Sequence, residues 1–338
     1  MSEKPKYLNV FLLISGIAIV FGLFGLGDIS KAPHSGLVIG PNNSVMKVAP
    51  ESPAESAGLQ EGDVVRSIGG IAVEDTKATV RRPRAEIGEI RTVVVERNGE
   101  RLEFDVTYGA QPSRLRVVFV LSAVIALCFL GFCLWAYGAA PSPTTLILAL
   151  FGLLFGLSFL PAPYSKSFML RTLGGALVTV LIVMGFAVLV HFLLLFPKRR
   201  AFLDKPWAQR VLYGPAIAVN VLLLFFNLVQ PDFTGGIKAV ILVATGLFVV
   251  GYFGWALVLM VQSFVRASGA ERSSHGLTLM LLGTLIGLLP VIASSLAIRL
   301  SVLLPGGQYY GLALGLIPIT FALAAVRKYR ATAPEATG

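Results

Sequence analysis

Few residues in this 338-residue chain could carry chemistry at depth. There are three histidines, His34, His191 and His275, and two cysteines, Cys128 and Cys133. A zinc-activated water needs two histidines one helical turn apart, a glutamate between them and a further carboxylate. The three histidines stand far apart and no such motif occurs. Two carboxylates sharing a proton would supply acid–base chemistry inside a membrane, but none of the long apolar runs contains Asp or Glu. The same absence weakens a proton- or sodium-coupled transporter. His191 could act as base for a serine nucleophile, yet no serine lies in a Gly-x-Ser-x-Gly setting. Cys128 and Cys133 are five residues apart and fall on different faces of one helix, so neither a disulfide nor a metal pair is expected. The expectation is therefore no metal, no cofactor and no catalysis by this chain alone.

The elements that would position these residues are of two kinds. The chain is 55% hydrophobic and 14% charged, which excludes an ordinary soluble domain. Eight apolar runs of about membrane length fall near 8–27, 117–137, 144–161, 173–196, 211–230, 239–262, 276–298 and 308–326. The first is expected to be a retained signal anchor, because Gly25-Leu26-Gly27-Asp28 offers no small-x-small cleavage site. With the N-terminus in the cytoplasm, twelve Lys and Arg of the short loops lie inside and six outside, and both termini are cytoplasmic. Arg114 and Arg116 run against that rule. The expected plan is a cytoplasmic 1–7, an anchor at 8–27, a polar module at 28–113, a seven-span membrane domain at 114–330 and a disordered tail at 331–338. The expected location is a bacterial inner membrane, with the module outside. The module holds 13 of the 18 acids and 10 of the 28 bases, a net charge of −3, while the rest of the chain carries +13. That excess belongs to loops between spans, so no nucleic-acid partner is expected.

Within the module, Ser44–Val48, Val64–Ile68, Ile71–Val73, Ile90–Glu96 and Arg101–Thr107 read as strands, the last two joined by a turn with Asn98-Gly99 at its centre. Ser52 caps a short helix that has Pro53 in its first turn and ends at Gly58. A basic helix or loop covers about 75–86. The string Val48-x-x-x-Ser52-Pro53-Ala54-x-x-Ala57-Gly58-Leu59-x-x-Gly62-Asp63-x-Val65, followed by Ile68-x-Gly70-x-x-Val73, closely resembles a PDZ domain of the bacterial arrangement, over about 36–108. Gly69 departs from it, since the family usually has Asn there. The resemblance implies an α/β sandwich inserted in a polytopic α-helical membrane protein. It also implies capture of a peptide or protein C-terminus as an added strand. The carboxylate loop would fall at Ser35 and Gly36, the receiving strand at Leu37, Val38 and Ile39, and a helix wall near Val80. Arg81, Arg82 and Arg84 would favour an acidic peptide. The rival reading is a structural domain whose groove is filled from within the protein.

In the membrane half, His191 lies about 9 Å inside one end of its span and is the candidate functional membrane residue; a hydrogen bond to a neighbouring helix is the plainer alternative. Asn220, Asn227 and Gln262 could bridge helices, and Pro215, Pro290 and Pro318 imply kinks. The pairs Gly152/Gly156 and Gly283/Gly287 share helix faces that permit close packing. Two segments, His191-Phe192-Leu193-Leu194-Leu195-Phe196-Pro197 and the run from Leu316 to Arg330 with Pro318 and Phe321, resemble the membrane sensor region of certain bacterial sensor histidine kinases with an extracytoplasmic PDZ-like insert. No phosphoacceptor or ATP-binding domain follows that exit, so no kinase activity is expected. The resemblance implies a sensor or adaptor for a separate partner such as a kinase. A quality-control scaffold presenting chain ends to a separate protease, or a PDZ-regulated channel, transporter or lipid-handling protein, are the alternatives. Membrane lipids are the other expected partner.

Overall fold

The computed structural model describes residues 5–229, 236–300, 302 and 304–332. Helix α1 (Leu8–Gly27) leads through a 3-10 turn, Asp28–Lys31, into a small β-rich module. Its strands are β1 (Pro33–His34), β2 (Leu37–Ile39), β3 (Val45–Val48), β4 (Val64–Ile68), β5 (Ile71–Ala72), β6 (Ile90–Arg97), β7 (Glu100–Thr107) and β8 (Gly109–Ala110). Helix α2 (Pro53–Ser56) follows β3, and α3 (Thr76–Arg81) follows β5.

The strands form an antiparallel sheet in the order β5-β4-β6-β7, a ladder β2-β3 and a ladder β1-β8. Alternation sets the faces of the strands, and a bulge between Val65 and Ser67 brings Val65 and Ile68 of β4 to the same face. Val65 and Ile68 of β4, Val93 and Val95 of β6, and Val106 of β7 close on Val45, Ala54 and Leu59 to make the module's core. The β6–β7 register is unbroken from Ile90↔Thr107 to Arg97↔Glu100, which leaves Asn98 and Gly99 as the two-residue turn, both at positive φ. Ser52 Oγ accepts from Glu55 N at 3.3 Å, and Pro53 sits in the first turn of α2. The ladder β1-β8 ties the ends of the module together, so α1 and the next helix leave it side by side.

That helix is α4 (Ser113–Ala139), followed by α5 (Pro143–Phe159), α6 (Phe168–Leu195), α7 (Ala208–Val229), α8 (Gly236–Arg266), the short α9 (Gly269–Ser274), α10 (Leu277–Arg299) and α11 (Leu316–Thr332). Among the described residues seven helices are long and apolar enough to cross a membrane, with α5 a shorter apolar helix of 17 residues. All eight expected runs are therefore helical. Their ends shift: α6 begins at Phe168 rather than 173, and α11 is preceded by a 3-10 segment, Gly307–Gly315. Part of the expected tail is also ordered, since α11 continues through Thr332; residues 333–338 lie outside those described.

Buried aromatics hold the helices together. Phe129 of α4 stacks on Phe155 and Phe159 of α5, and Phe151 of α5 and Phe192 of α6 both stack on Phe321 of α11. The glycine pairs act where backbones meet. A Cβ on Gly152 would lie 2.5 Å from the Phe129 carbonyl oxygen and 2.3 Å from Cys133 Cβ, and one on Gly156 would lie 2.6 Å from Leu130 Cγ, so α4 and α5 need both glycines. Gly283 of α10 meets Thr320 of α11 in the same way. Pro215 and Pro290 lie inside α7 and α10. Pro318 does not interrupt its helix: it occupies the first turn of α11, where no intrahelical N–H bond is required.

Candidate functional site

The expected peptide-receiving residues come together at one edge of the module. Gly36 has φ +89°, and a Cβ there would lie 2.2 Å from the Ser52 side chain, so only glycine fits the turn between β1 and β2. The turn is held from behind: Ser35 O accepts from Ala54 N, and Gly36 O accepts from Ala49 N, both at 2.9 Å. Ser35 Oγ lies 3.4 Å from Leu37 N. This turn therefore hangs on the start of α2 and the end of β3.

Among the described residues strand β2 pairs with β3 alone. Its register is Leu37↔Val48, Val38↔Lys47 and Ile39↔Val45, with a bulge between Val38 and Ile39. Gly36 O and Gly40 N bond to the β3 side, the latter to Ser44 O at 2.8 Å. By alternation Leu37 and Ile39 turn their backbone groups to the opposite, open edge. Val45, opposite Ile39, spends its own N–H and C=O on Asp63 O and Gly62 N. Leu37 packs on the module core, while Val38 and Ile39 are exposed. An edge strand whose outward backbone groups carry, among the described residues, only the local Leu37 N–H to Ser35 Oγ bond, and whose apolar side chains are accessible, can accept an added strand. Val80 lies in α3, but its side chain is outside the described residues.

The opposite end of β3 is fixed by an ion pair that the sequence reading did not anticipate. Asp63 is buried and takes Arg97 Nε at 2.6 Å and Nη2 at 2.8 Å, plus Gln60 N at 2.9 Å. Arg97 Nη2 also donates to Gly58 O at 3.0 Å. Burial pushes the Asp63 carboxyl up, but the Arg97 hydrogen bonds, the Gln60 N–H and the Arg97 charge outweigh it and hold the group below its usual range. Of the three expected arginines, Arg81 ends α3 and is exposed, and the other two touch the membrane half. Arg84 covers the Tyr164 ring at 5.0 Å, and Arg82 is half-buried, its carbonyl accepting from Arg171 Nη2 at 3.4 Å. With Lys166 Nζ on Glu86 Oε1 at 2.5 Å, residues 82–86 dock the module on the α5–α6 loop and the start of α6.

At membrane depth His191 Nδ1 lies 2.7 Å from Tyr213 Oη of α7, the helix-to-helix bond that was the plainer of the two expectations. Asn220 makes no such bridge: it is buried and both its side-chain polar atoms lack partners among the described residues. The side chain of Asn227 lies outside the described residues. The two segments singled out together in the sequence do touch, through Phe192 on Phe321 at 5.6 Å and Lys328 over Phe196 at 5.7 Å. The basic loops gather at that same end, with Lys198 Nζ on Glu271 Oε1 at 2.7 Å and Arg200 Nη2 on Ser263 Oγ at 3.1 Å.

Comparison with known proteins agrees with this geometry for the module. The PDZ-domain family matches residues 44–97. The zinc metalloprotease RasP of Shouchella clausii (strain KSM-K16) is 32% identical over 107 residues, which make up 31% of this chain and 26% of the relative. The chain thus matches about a quarter of that relative's length. Among the described residues no group of three or more His, Cys, Asp or Glu comes together, and the sequence holds no pair of histidines flanking a glutamate. Residues 44–97 form a PDZ domain, carried by a multi-pass chain of membrane-length helices.

Proposed function

We propose that this chain is a membrane-embedded sensor or adaptor. Its PDZ domain faces the outside of a bacterial inner membrane and binds the C-terminus of a peptide or protein. A shift of the domain then passes through the helices to a separate partner, such as a histidine kinase, at the basic inner end. The observation that carries this reading is the open edge of β2 beside the Gly36 turn, where the Leu37 C=O, the backbone of Ile39 and the apolar Ile39 side chain face an added strand, and Leu37 N–H would exchange its long bond to Ser35 Oγ for one to the ligand. The contact of residues 82–86 with α6 supplies a route from that edge to the membrane.

The test uses a library of displayed peptides with free C-termini, screened against the full chain in detergent and repeated with amidated ends. Retention that requires the free carboxylate supports the reading; equal retention of amidated peptides counts against it. Protease digestion of the 28–113 module in intact cells with a permeabilised outer envelope checks its side. A second reading rests on the partial match to RasP: the PDZ domain would present unassembled chain ends to a separate protease. One defined peptide from the screen favours the sensor, and broad apolar C-termini favour the scaffold.

A further inference from the structure

Beside the contact between the PDZ domain and α6 lies a basic cavity that peptide capture does not use. Its volume is about 350 Å³, and Arg82, Pro83, Glu89, Ile90, Arg91 and Thr92 line it. Arg82 Nη2 donates to Thr79 Oγ1 at 3.3 Å, and Arg91 Nε donates to Glu89 Oε1 at 2.7 Å. The Nε–H groups of Arg82 and of the adjoining Arg171 are buried and have no partner among the described residues. Of the other acids nearby, Glu86 is taken by Lys166, and Asp105 accepts from Thr92 Oγ1 at 2.7 Å. Glu89 is thus taken by Arg91, while among the described residues neither Arg82 nor Arg171 meets a carboxylate, and buried charged donors left unmatched are costly. Burial pulls Arg82 below the usual arginine range, with the Arg91 charge adding to the fall and Tyr108 opposing it.

The surroundings select among anions. Ser167 caps α6 and Arg171 lies in its first turn. Met169, Leu170, Leu173 and Leu177 of that helix are exposed, as are Ile90 of the cavity lining and Ile87 in the loop before it. A charged floor reached past apolar side chains at the start of a membrane-length helix suits a ligand with a phosphate at one end and hydrocarbon at the other. Free phosphate would gain nothing from the apolar rim. We propose that Arg82, Arg91 and Arg171 hold the phosphate of an anionic phospholipid whose acyl chains lie along the exposed face of α6. The lipid would complete the joint between the PDZ domain and the helices, whatever the domain captures at β2.

The test uses the full chain in a neutral detergent, titrated with dioctanoyl phosphatidylglycerol, dioctanoyl phosphatidylcholine or inorganic phosphate. Retained lipid is read by native mass spectrometry, and hydrogen exchange is followed over residues 79–92 and 164–171. Phosphatidylglycerol should be retained, protect both segments and dissociate as salt rises. Arg82→Gln and Arg171→Gln should each weaken it about tenfold. Arg82→Lys should fall between, keeping the charge but losing the planar fork. If Arg82→Gln disturbs the fold, exchange in β4, β6 and β7 will rise, and Arg171→Gln, outside the PDZ core, carries the same expectation. Equal retention of phosphatidylcholine, equal protection by inorganic phosphate, or unchanged retention in both glutamine variants would overturn the proposal.

Discussion

Replacing Asp63 with alanine should loosen the PDZ domain while leaving the helices intact. The carboxylate is 1% exposed and answers three donors, two on Arg97 and one on the Gln60 backbone. Removing one partner of a fully buried pair costs about 3–5 kcal/mol. Arg97 is 23% exposed and keeps its bond to Gly58 O, so water relieves part of that loss. The Gln60 N–H, left unanswered, adds about 1 kcal/mol. The expected cost is about 2–4 kcal/mol, a fall of roughly 30- to 900-fold in local protection. Hydrogen exchange of the β4, β6 and β7 amides in the full chain reads it directly. Because the folded Asp63 carboxyl is held below its usual value of 3.8, its contribution is present above that pH. It is lost as the pH falls through the folded value, and Asp63→Asn should remove this acid dependence. Protection in Asp63→Ala within about twofold of the parent, or additive losses in the Asp63→Ala/Arg97→Ala pair, would refute the account, since directly bonded partners should couple.

Ile39→Pro removes an N–H that faces the open edge of β2 rather than β3, so it should weaken any peptide selected by the library about fivefold or more, while Val38→Ala changes affinity little. Gly152→Ala forces a Cβ against the Phe129 carbonyl and should lower stability in detergent by about 1–3 kcal/mol; Gly251→Ala, which meets nothing within 4 Å, should not. Burial lowers the His275 imidazole below its usual value, with Lys328 and Lys198 adding to the fall and Glu271 opposing it. Its ring resonances should therefore titrate below 6.5, with Lys328→Met moving them upward. The linked stability is full above the unfolded value and declines as pH falls below it.

Legibility in the sequence followed the strength of the local pattern. The apolar runs were long enough to read as helices one by one, and the strands of the PDZ domain alternate, so both kinds of element could be found without tertiary knowledge. The turn at Ser35 and Gly36 was placed by the family pattern, and the close approach of Ser52 to Gly36 explains why glycine stands there. What stayed hidden depends on partners far along the chain. Asp63 meets Arg97 across two strands, β1 and β8 are two residues each, and Glu86 meets Lys166 from another domain. None of these leaves a periodic mark. Asn220 illustrates the converse, since its type suggested a bridge that its neighbours on the described helices do not supply.

The architecture also narrows how an event at the PDZ domain could reach the far end of the helices. Helix α6 runs 28 residues without interruption, roughly 42 Å. At its start Arg171 holds the Arg82 carbonyl beside the docked segment of the PDZ domain. At its far end Phe192 stacks on Phe321 of α11, and Phe196, which caps the helix, lies under Lys328. Between them His191 bonds Tyr213 of α7, and Gly185 lets the Phe155 ring of α5 approach so closely that a Cβ would lie 2.4 Å from it. A rigid rod in contact at both ends transmits a tilt or rotation without needing a chain of small side-chain changes. Under the sensor reading, α6 is therefore the element to perturb. Gly185→Ala should press the rod away from α5 and shift the inner contacts of Phe192 and Phe196 with no ligand present. Cysteine crosslinking between positions 196 and 328, compared in Gly185→Ala and the parent, measures that shift, and identical crosslinking rates would argue that α6 does not couple the two ends.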